Sequence, residues 1–169
     1  MKNDPRSPVC CKPAGGVRDV ALTSPDNILH AEFDGTGDRC EEPEFARGQE
    51  VMYCRLLEER SSRVETLETE GNARTVRHRL TLTADRNLAE EWLSKRFADE
   101  LLAHGAVAVV TLGDGRRFLA GVSQRFGCAQ PLRLVRCSAD SGRRCADTPT
   151  VQLVLESIDT AFAAQIENG

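Results

Sequence analysis

The stretch ARTVRHRLTLTA, Ala73–Ala84, decides how the chain is read. Val76, His78, Leu80 and Leu82 share one parity, and Thr75, Arg77, Arg79 and Thr81 share the other. Successive strand side chains point to opposite faces, so this alternation predicts a strand with one apolar and one wetted face. Gly71–Asn72, just before it, has hairpin-turn chemistry. The preceding SRVETLETEG alternates too, with Val64 and Leu67 as its inward candidates. His78 falls on the apolar face, which predicts a packed neutral histidine and not a catalytic one.

Beyond Ala84 the period changes. DRNLAEEWLSKRFADELLAHG places Leu88, Trp92, Leu93, Phe97, Leu101 and Leu102 at three- and four-residue steps. That spacing predicts one amphipathic helix over about 86–104. Asp85 is its expected N-cap, Gly105 its C-terminal cap, and Glu91 and Lys95 a pair on its outer face. Trp92 and Phe97 are expected to anchor it on a sheet. AVAVVTL, 106–112, then suits a central strand. The GDG of Gly113–Gly115 predicts a tight reversal into RRFLAGV, because Asp-Gly readily takes positive φ.

Strands are also expected at VRDVAL from Val17, at ILHAEF (28–33), around Leu132 and Leu134, and at TVQLVLESI, where Val151, Leu153, Leu155 and Ser157 share a face. The final DTAFAAQIENG is expected to pack through Phe162. Residues 1–16, punctuated by Pro5, Pro8 and Pro13, predict an irregular arm; 17–169 form one β-rich domain. The segment 34–50 predicts a solvated loop. The expected fold is mainly β (α+β): an antiparallel β-sandwich or partly closed barrel with one flanking amphipathic helix.

Composition narrows the function. A chain of 169 residues with net charge -4 is large enough to bury its own core and mildly acidic. Arginine outnumbers lysine, but acidic residues interleave with it, so no basic stripe suits a phosphate backbone. No apolar run is long enough for a transmembrane helix, and the opening MKNDPRSPVCCKPAGG lacks the apolar core of a Sec signal.

The seven cysteines, an odd number without a signal, predict reduced thiols. Their spacing matches no zinc knuckle, and Asp34, Asp38, Glu41 and Glu42 do not follow a calcium-loop pattern. No metal or cofactor is expected.

For catalysis, neither GxSxG nor a papain-like cysteine context occurs. Cys128 in FGCAQP and the carboxylates Asp140 and Asp147 are the only candidates for a small cysteine- or carboxylate-dependent enzyme. No catalytic residue is assigned.

Taken in order, CCKPAGGVRDVALTSPDNI, VRHRLTLTA, VAVVTLGDGRRFLAGVSQRFG and PLRLVRCSADSGRRCADTPTVQLVLESIDTAFAA resemble tail-tube-like or tail-associated structural proteins of Bacteroidetes-type phages and prophages. The resemblance covers most of the chain and is carried by order, not by one diagnostic motif. It implies a noncatalytic subunit that self-associates into rings or a tube, alongside other tail proteins. DNA would pass an acidic lumen without specific binding. Such a protein assembles in the bacterial cytoplasm and, where the prophage is functional, ends in the virion tail.

The resemblance makes the 1–16 arm, the 34–50 loop with Glu41 and Glu42, and the turn carrying Asp114, Arg116 and Arg117 the candidate subunit contacts. A head–tail connector, a tail-terminator and a nucleic-acid- or protein-binding adaptor are alternative roles on related sheets.

Overall fold

The structure is a computed structural model, and it describes residues 15–167. Most of the expected N-terminal arm therefore lies outside the described residues. Within them the strands are β1 (Val17–Thr23), β2 (Ile28–His30), β3 (Arg39–Cys40), β4 (Glu44–Phe45), β5 (Met52–Cys54), β6 (Ser62–Glu70) and β7 (Ala73–Asp85). After helix α1 (Lys95–His104) come β8 (Val107–Leu112), β9 (Arg117–Ala120), β10 (Arg133–Asp140), β11 (Thr150–Asp159) and β12 (Ala164–Ile166).

Two larger sheets face each other. One has six strands in the order β3-β12-β9-β8-β1-β5, the other four in the order β10-β11-β7-β6. A two-stranded ribbon pairs β2 with β4. All pairings are antiparallel except β12 with β3. Both large sheets stay open, so the fold is a mainly β sandwich with one flanking helix and not a barrel.

The main core lies between the sheets. Val20 and Leu22 of β1 and Ala108 and Val110 of β8 meet Leu80 and Leu82 of β7 and Leu153 and Leu155 of β11. Each fully buried leucine contributes roughly 2 kcal/mol by leaving water. A second core covers the opposite face of the six-stranded sheet. There Val107, Val109, Leu119 and Ile166 pack with Cys40, Phe33 and Phe45. The unbroken apolar run AVAVVTL follows from this double cover: β8 has a core on each side, so neither parity is polar.

The expected hairpin forms at Gly71–Asn72, with Glu70 opposite Ala73. Val76, His78, Leu80 and Leu82 are buried, as are Val151, Leu153, Leu155 and Ser157.

Several expectations are corrected. The α-helix begins at Lys95, not near 86: a turn and a short 3-10 segment, Glu90–Leu93, precede it. Ser94 is the N-cap, its Oγ accepting from Phe97 N at 3.2 Å. Asp85 ends β7 instead and holds a local turn, accepting from Asn87 N at 2.8 Å. Lys95 pairs with Asp99 one turn on, not with Glu91. Trp92 and Leu101 are buried, but Leu88 and Leu102 are exposed, so the apolar stripe is narrower than its sequence spacing.

Val64 and Leu67 have opposite parity and cannot both turn inward from one strand. Val64 faces out, and Leu67 stands beyond the covered part of its face; both are exposed. The 34–50 segment is not simply a solvated loop, because it contributes β3, β4 and the buried Cys40. Phe162 is exposed, and the tail packs through Ala164 and Ile166 of β12.

Candidate functional site

The reversal between β8 and β9 carries the first group of candidate residues. Leu112 N donates to Arg116 O at 2.9 Å and closes the loop, and Gly115 takes φ 88°. Only glycine adopts that backbone without strain, which is why the GDG stretch turns here. Asp114 braces the turn: Oδ1 accepts from Arg116 N at 2.9 Å and Oδ2 from Arg116 Nε at 2.7 Å. These bonds hold the Asp114 carboxyl below its ordinary value, the Arg116 backbone N–H acting most strongly.

Arg117 next door grips Glu42 with both guanidinium arms, one at 2.8 Å. The Glu42 hydrogen bond raises the Arg117 guanidinium further above its usual value. A fixed fork on a carboxylate is specific in geometry, though solvent screens its strength. Arg39 of β3 reaches Glu167 at 3.2 Å. Asp114, Arg116, Arg117, Arg39 and Glu167 border a shallow concavity of about 520 Å³ at the β3–β12–β9 end of the six-stranded sheet. The structure thus brings Asp114, Arg116, Arg117 and Glu42 together. Glu41 is exposed beside Glu42, and its backbone N–H donates to Glu32 O at 2.9 Å.

The chemical candidates fare differently. Burial, with the nearby charge of Asp26, pushes the Cys128 thiol up, the opposite of what activates a thiolate. Burial also raises Cys137, and takes Cys40 to about 11 and Cys54 to about 12. Asp140 accepts from Gly142 N at 2.8 Å, and Asp147 from the N–H groups of Arg143 and Arg144, each at 2.9 Å. Both carboxylates therefore shape a loop and are not aimed at a common reacting atom.

Asp34 is likewise committed: Oδ1 accepts from Thr36 N, Gly37 N and Asp38 N, the shortest bond being 2.7 Å. Donors converging on that oxygen compete with a cation for it. No cluster of three or more His, Cys, Asp or Glu side chains is placed to hold a metal among the described residues. Nor is any helix among them long and apolar enough to cross a membrane.

A second constellation escaped the reading of single strands. Arg63 and Glu65 of β6 point inward with His78 of β7, their side chains only 13%, 11% and 8% exposed. His78 Nδ1 lies 2.7 Å from Glu65 Oε1, and its Nε2 lies 3.0 Å from Ala161 O. Glu65 Oε1 also accepts from Ala163 N at 2.7 Å, and Oε2 pairs with Arg63. The Arg63 guanidinium lies 4.0 Å from the centre of the Phe118 ring on β9. His78 is thus packed as expected, but in a charged network and not among apolar neighbours alone. The turn at Gly71–Asn72 holds the missed signal. Counting back from the Glu70–Ala73 pair sets Glu65 opposite His78 and Arg63 opposite Leu80.

No family model, curated protein or solved structure matches the chain.

Proposed function

We propose that the chain is a noncatalytic structural subunit that associates with copies of itself, in keeping with its resemblance to phage and prophage tail proteins. The observation that supports this reading is the pair of edges on the four-stranded sheet. Among the described residues, the outer sides of β6 and β10 have no strand partner. These edge strands are nine and eight residues long. Unpaired N–H and C=O groups on such edges are templates for another strand.

Every neighbour in β10-β11-β7-β6 is antiparallel, and the strand number is even. A second copy in the same orientation therefore brings its β10 antiparallel to β6 of the first. The charges also agree. β6 exposes Glu68 and Glu70, whereas β10 exposes Arg133 and Arg136. β10 is irregular between Leu134 and Arg136 but runs in regular register with β11 from Arg136 to Asp140. Such a head-to-tail contact makes rings when the rotation closes and filaments when it does not. The charged concavity at the β3–β12–β9 end is the surface proposed for contact between stacked layers.

Charge exchange tests the edge contact. The Glu68→Arg/Glu70→Arg variant and the Arg133→Glu/Arg136→Glu variant are each expected to stay dispersed alone. Their mixture is expected to restore assembly through the two reversed edges. Wild-type-like assembly by both single-edge variants, or no recovery on mixing, would count against this contact.

A further inference from the structure

The chain crosses from the four-stranded to the six-stranded sheet only a few residues after β11 ends at Asp159. The segment Thr160–Ala163 makes that crossing and delivers β12, which lies between β9 and β3. The Arg63–Glu65–His78 network grips this segment twice, through the Ala161 carbonyl and the Ala163 N–H. Its other attachments are to paired strands: β6 and β7 in one sheet, and Phe118 of β9 in the other.

The two partners of His78 are both acceptors, one a carboxylate and one a backbone carbonyl. A neutral imidazole carries a single N–H, and only the imidazolium donates from both nitrogens. The neutral ring would keep its proton on Nδ1, where the carboxylate makes the stronger, charge-assisted bond. Its Nε2 lone pair would then face the Ala161 oxygen at 3.0 Å, an arrangement without a proton between two acceptors.

The charged and titratable groups that share this space are Arg63 and Glu65 from β6 and Asp159 at the end of β11. Asp159 is already engaged, accepting from Thr160 N at 2.6 Å. β9 contributes the Phe118 ring, over which Arg63 and, at 6.0 Å, Arg116 lie. Burial pushes the Glu65 carboxyl up. The hydrogen bonds from His78 and Ala163 N, with the charges of Arg63 and His78, outweigh that push and hold it below the usual carboxylate range. Glu65 is therefore the fixed anion of the network.

We propose that this network is a pH-responsive latch on the β11–β12 crossover. The imidazolium of His78 holds Glu65 and the Ala161 carbonyl together, and loss of the Nε2 proton to solvent releases one of the two holds on the Thr160–Ala163 segment, the Ala163 N–H remaining on Glu65. The consequence reaches the surface. β12 carries Gln165 and Ile166 into the charged concavity, and β3, which carries Arg39, pairs with β12. Opening the latch loosens that end of the six-stranded sheet. The latch is a property of one chain and does not depend on whether copies assemble.

Hydrogen–deuterium exchange on the full chain tests it, followed across about pH 5 to 8, where imidazole side chains change charge. Rates are corrected for base catalysis of exchange, and a β11 peptide serves as the internal reference. In the wild type, protection over 160–167 is expected to fall roughly fivefold relative to β11 as pH rises, the loss of about one hydrogen bond. His78→Gln is expected to abolish that pH dependence. The double variant His30→Gln/His104→Gln is expected to keep it, because both of those histidines are exposed.

The nitrogen resonances of the wild-type His78 ring provide a measurement that needs no variant. They are expected to pass from two protonated nitrogens to one in step with the loss of protection. A pH-independent ratio in the wild type would overturn the latch. So would a change that survives in His78→Gln or vanishes in the double variant, or protection lost without a change in the His78 ring.

Discussion

Glu65 and His78 stand directly opposite each other on β6 and β7, with the carboxylate Oε1 2.7 Å from the imidazole Nδ1. The same carboxylate neutralises Arg63, whose side chain is mostly buried. Removing one member of a buried ionic group leaves the others uncompensated, at a cost of roughly 3–5 kcal/mol. Glu65→Gln keeps the shape and deletes the charge. It is expected to lower unfolding stability by roughly 3 kcal/mol in urea titrations at neutral pH. A loss below about 1 kcal/mol would show that the network contributes no more than an ordinary surface pair.

Acid should expose the same carboxylate. Glu65 titrates below the usual carboxylate range in the folded chain. A depressed folded value adds stability that is present above the unfolded value, about 4.3 for glutamate, and is lost as pH falls through the folded value. Wild-type melting temperature is expected to drop more steeply on acidification below about pH 4.3 than that of Glu65→Gln. Parallel curves for the two proteins would place the acid sensitivity elsewhere.

Gly105 is fixed by space as well as by backbone. It ends α1 with φ 73°, its N–H donating to Leu101 O at 3.0 Å, and a Cβ there would lie 2.8 Å from Leu132 O. Gly105→Ala is expected to destabilise by about 2 kcal/mol. Gly35 has no atom within 4 Å of a built Cβ and no positive φ, so Gly35→Ala should change stability by less than about 0.5 kcal/mol. Equal effects at the two sites would contradict the packing argument.

The start of the helix gives a comparison between two capping residues. Ser94→Ala removes the bond to Phe97 N and is expected to cost about 1 kcal/mol with fraying of the first turn. Asp85→Ala removes only a local turn bond ahead of the 3-10 segment and should leave the amide protection of α1 unchanged. Both effects are readable by amide exchange over 95–104.

Thiol labelling separates the described cysteines. Cys145 is exposed, whereas Cys40 and Cys54 are buried with values raised to about 11 and about 12. In a variant with Cys10 and Cys11 replaced by serine, Cys145 is expected to react first, and Cys40 and Cys54 only on unfolding. Fast reaction at Cys54 would contradict its place in the main core.

Much of this architecture is legible in local pattern, and the exceptions have physical causes. The alternation at Val76–Leu82, the Gly71–Asn72 turn and the GDG reversal each depend on residues close in sequence, and each forms where expected. The helix start was obscured because Leu88, Trp92 and Leu93 keep helical spacing although only Trp92 enters the core. The inward side of β6 was hidden for the opposite reason. Arg63 and Glu65 are polar, so hydrophobic periodicity turns them outward, while their burial depends on His78, Ala163 and Phe118 from three other parts of the chain. Of the expected contact residues, the turn brought Asp114 and Arg116 together locally, but the Arg117–Glu42 fork spans 75 positions and required the fold.

Self-association of the chain is decided by its solution mass over a wide concentration range, with negative-stain images of the same samples. Mass is expected to rise with concentration, with discrete rings or stacked tubes in the images. A protein that stays strictly monomeric at every concentration, with no ordered particles, would contradict it.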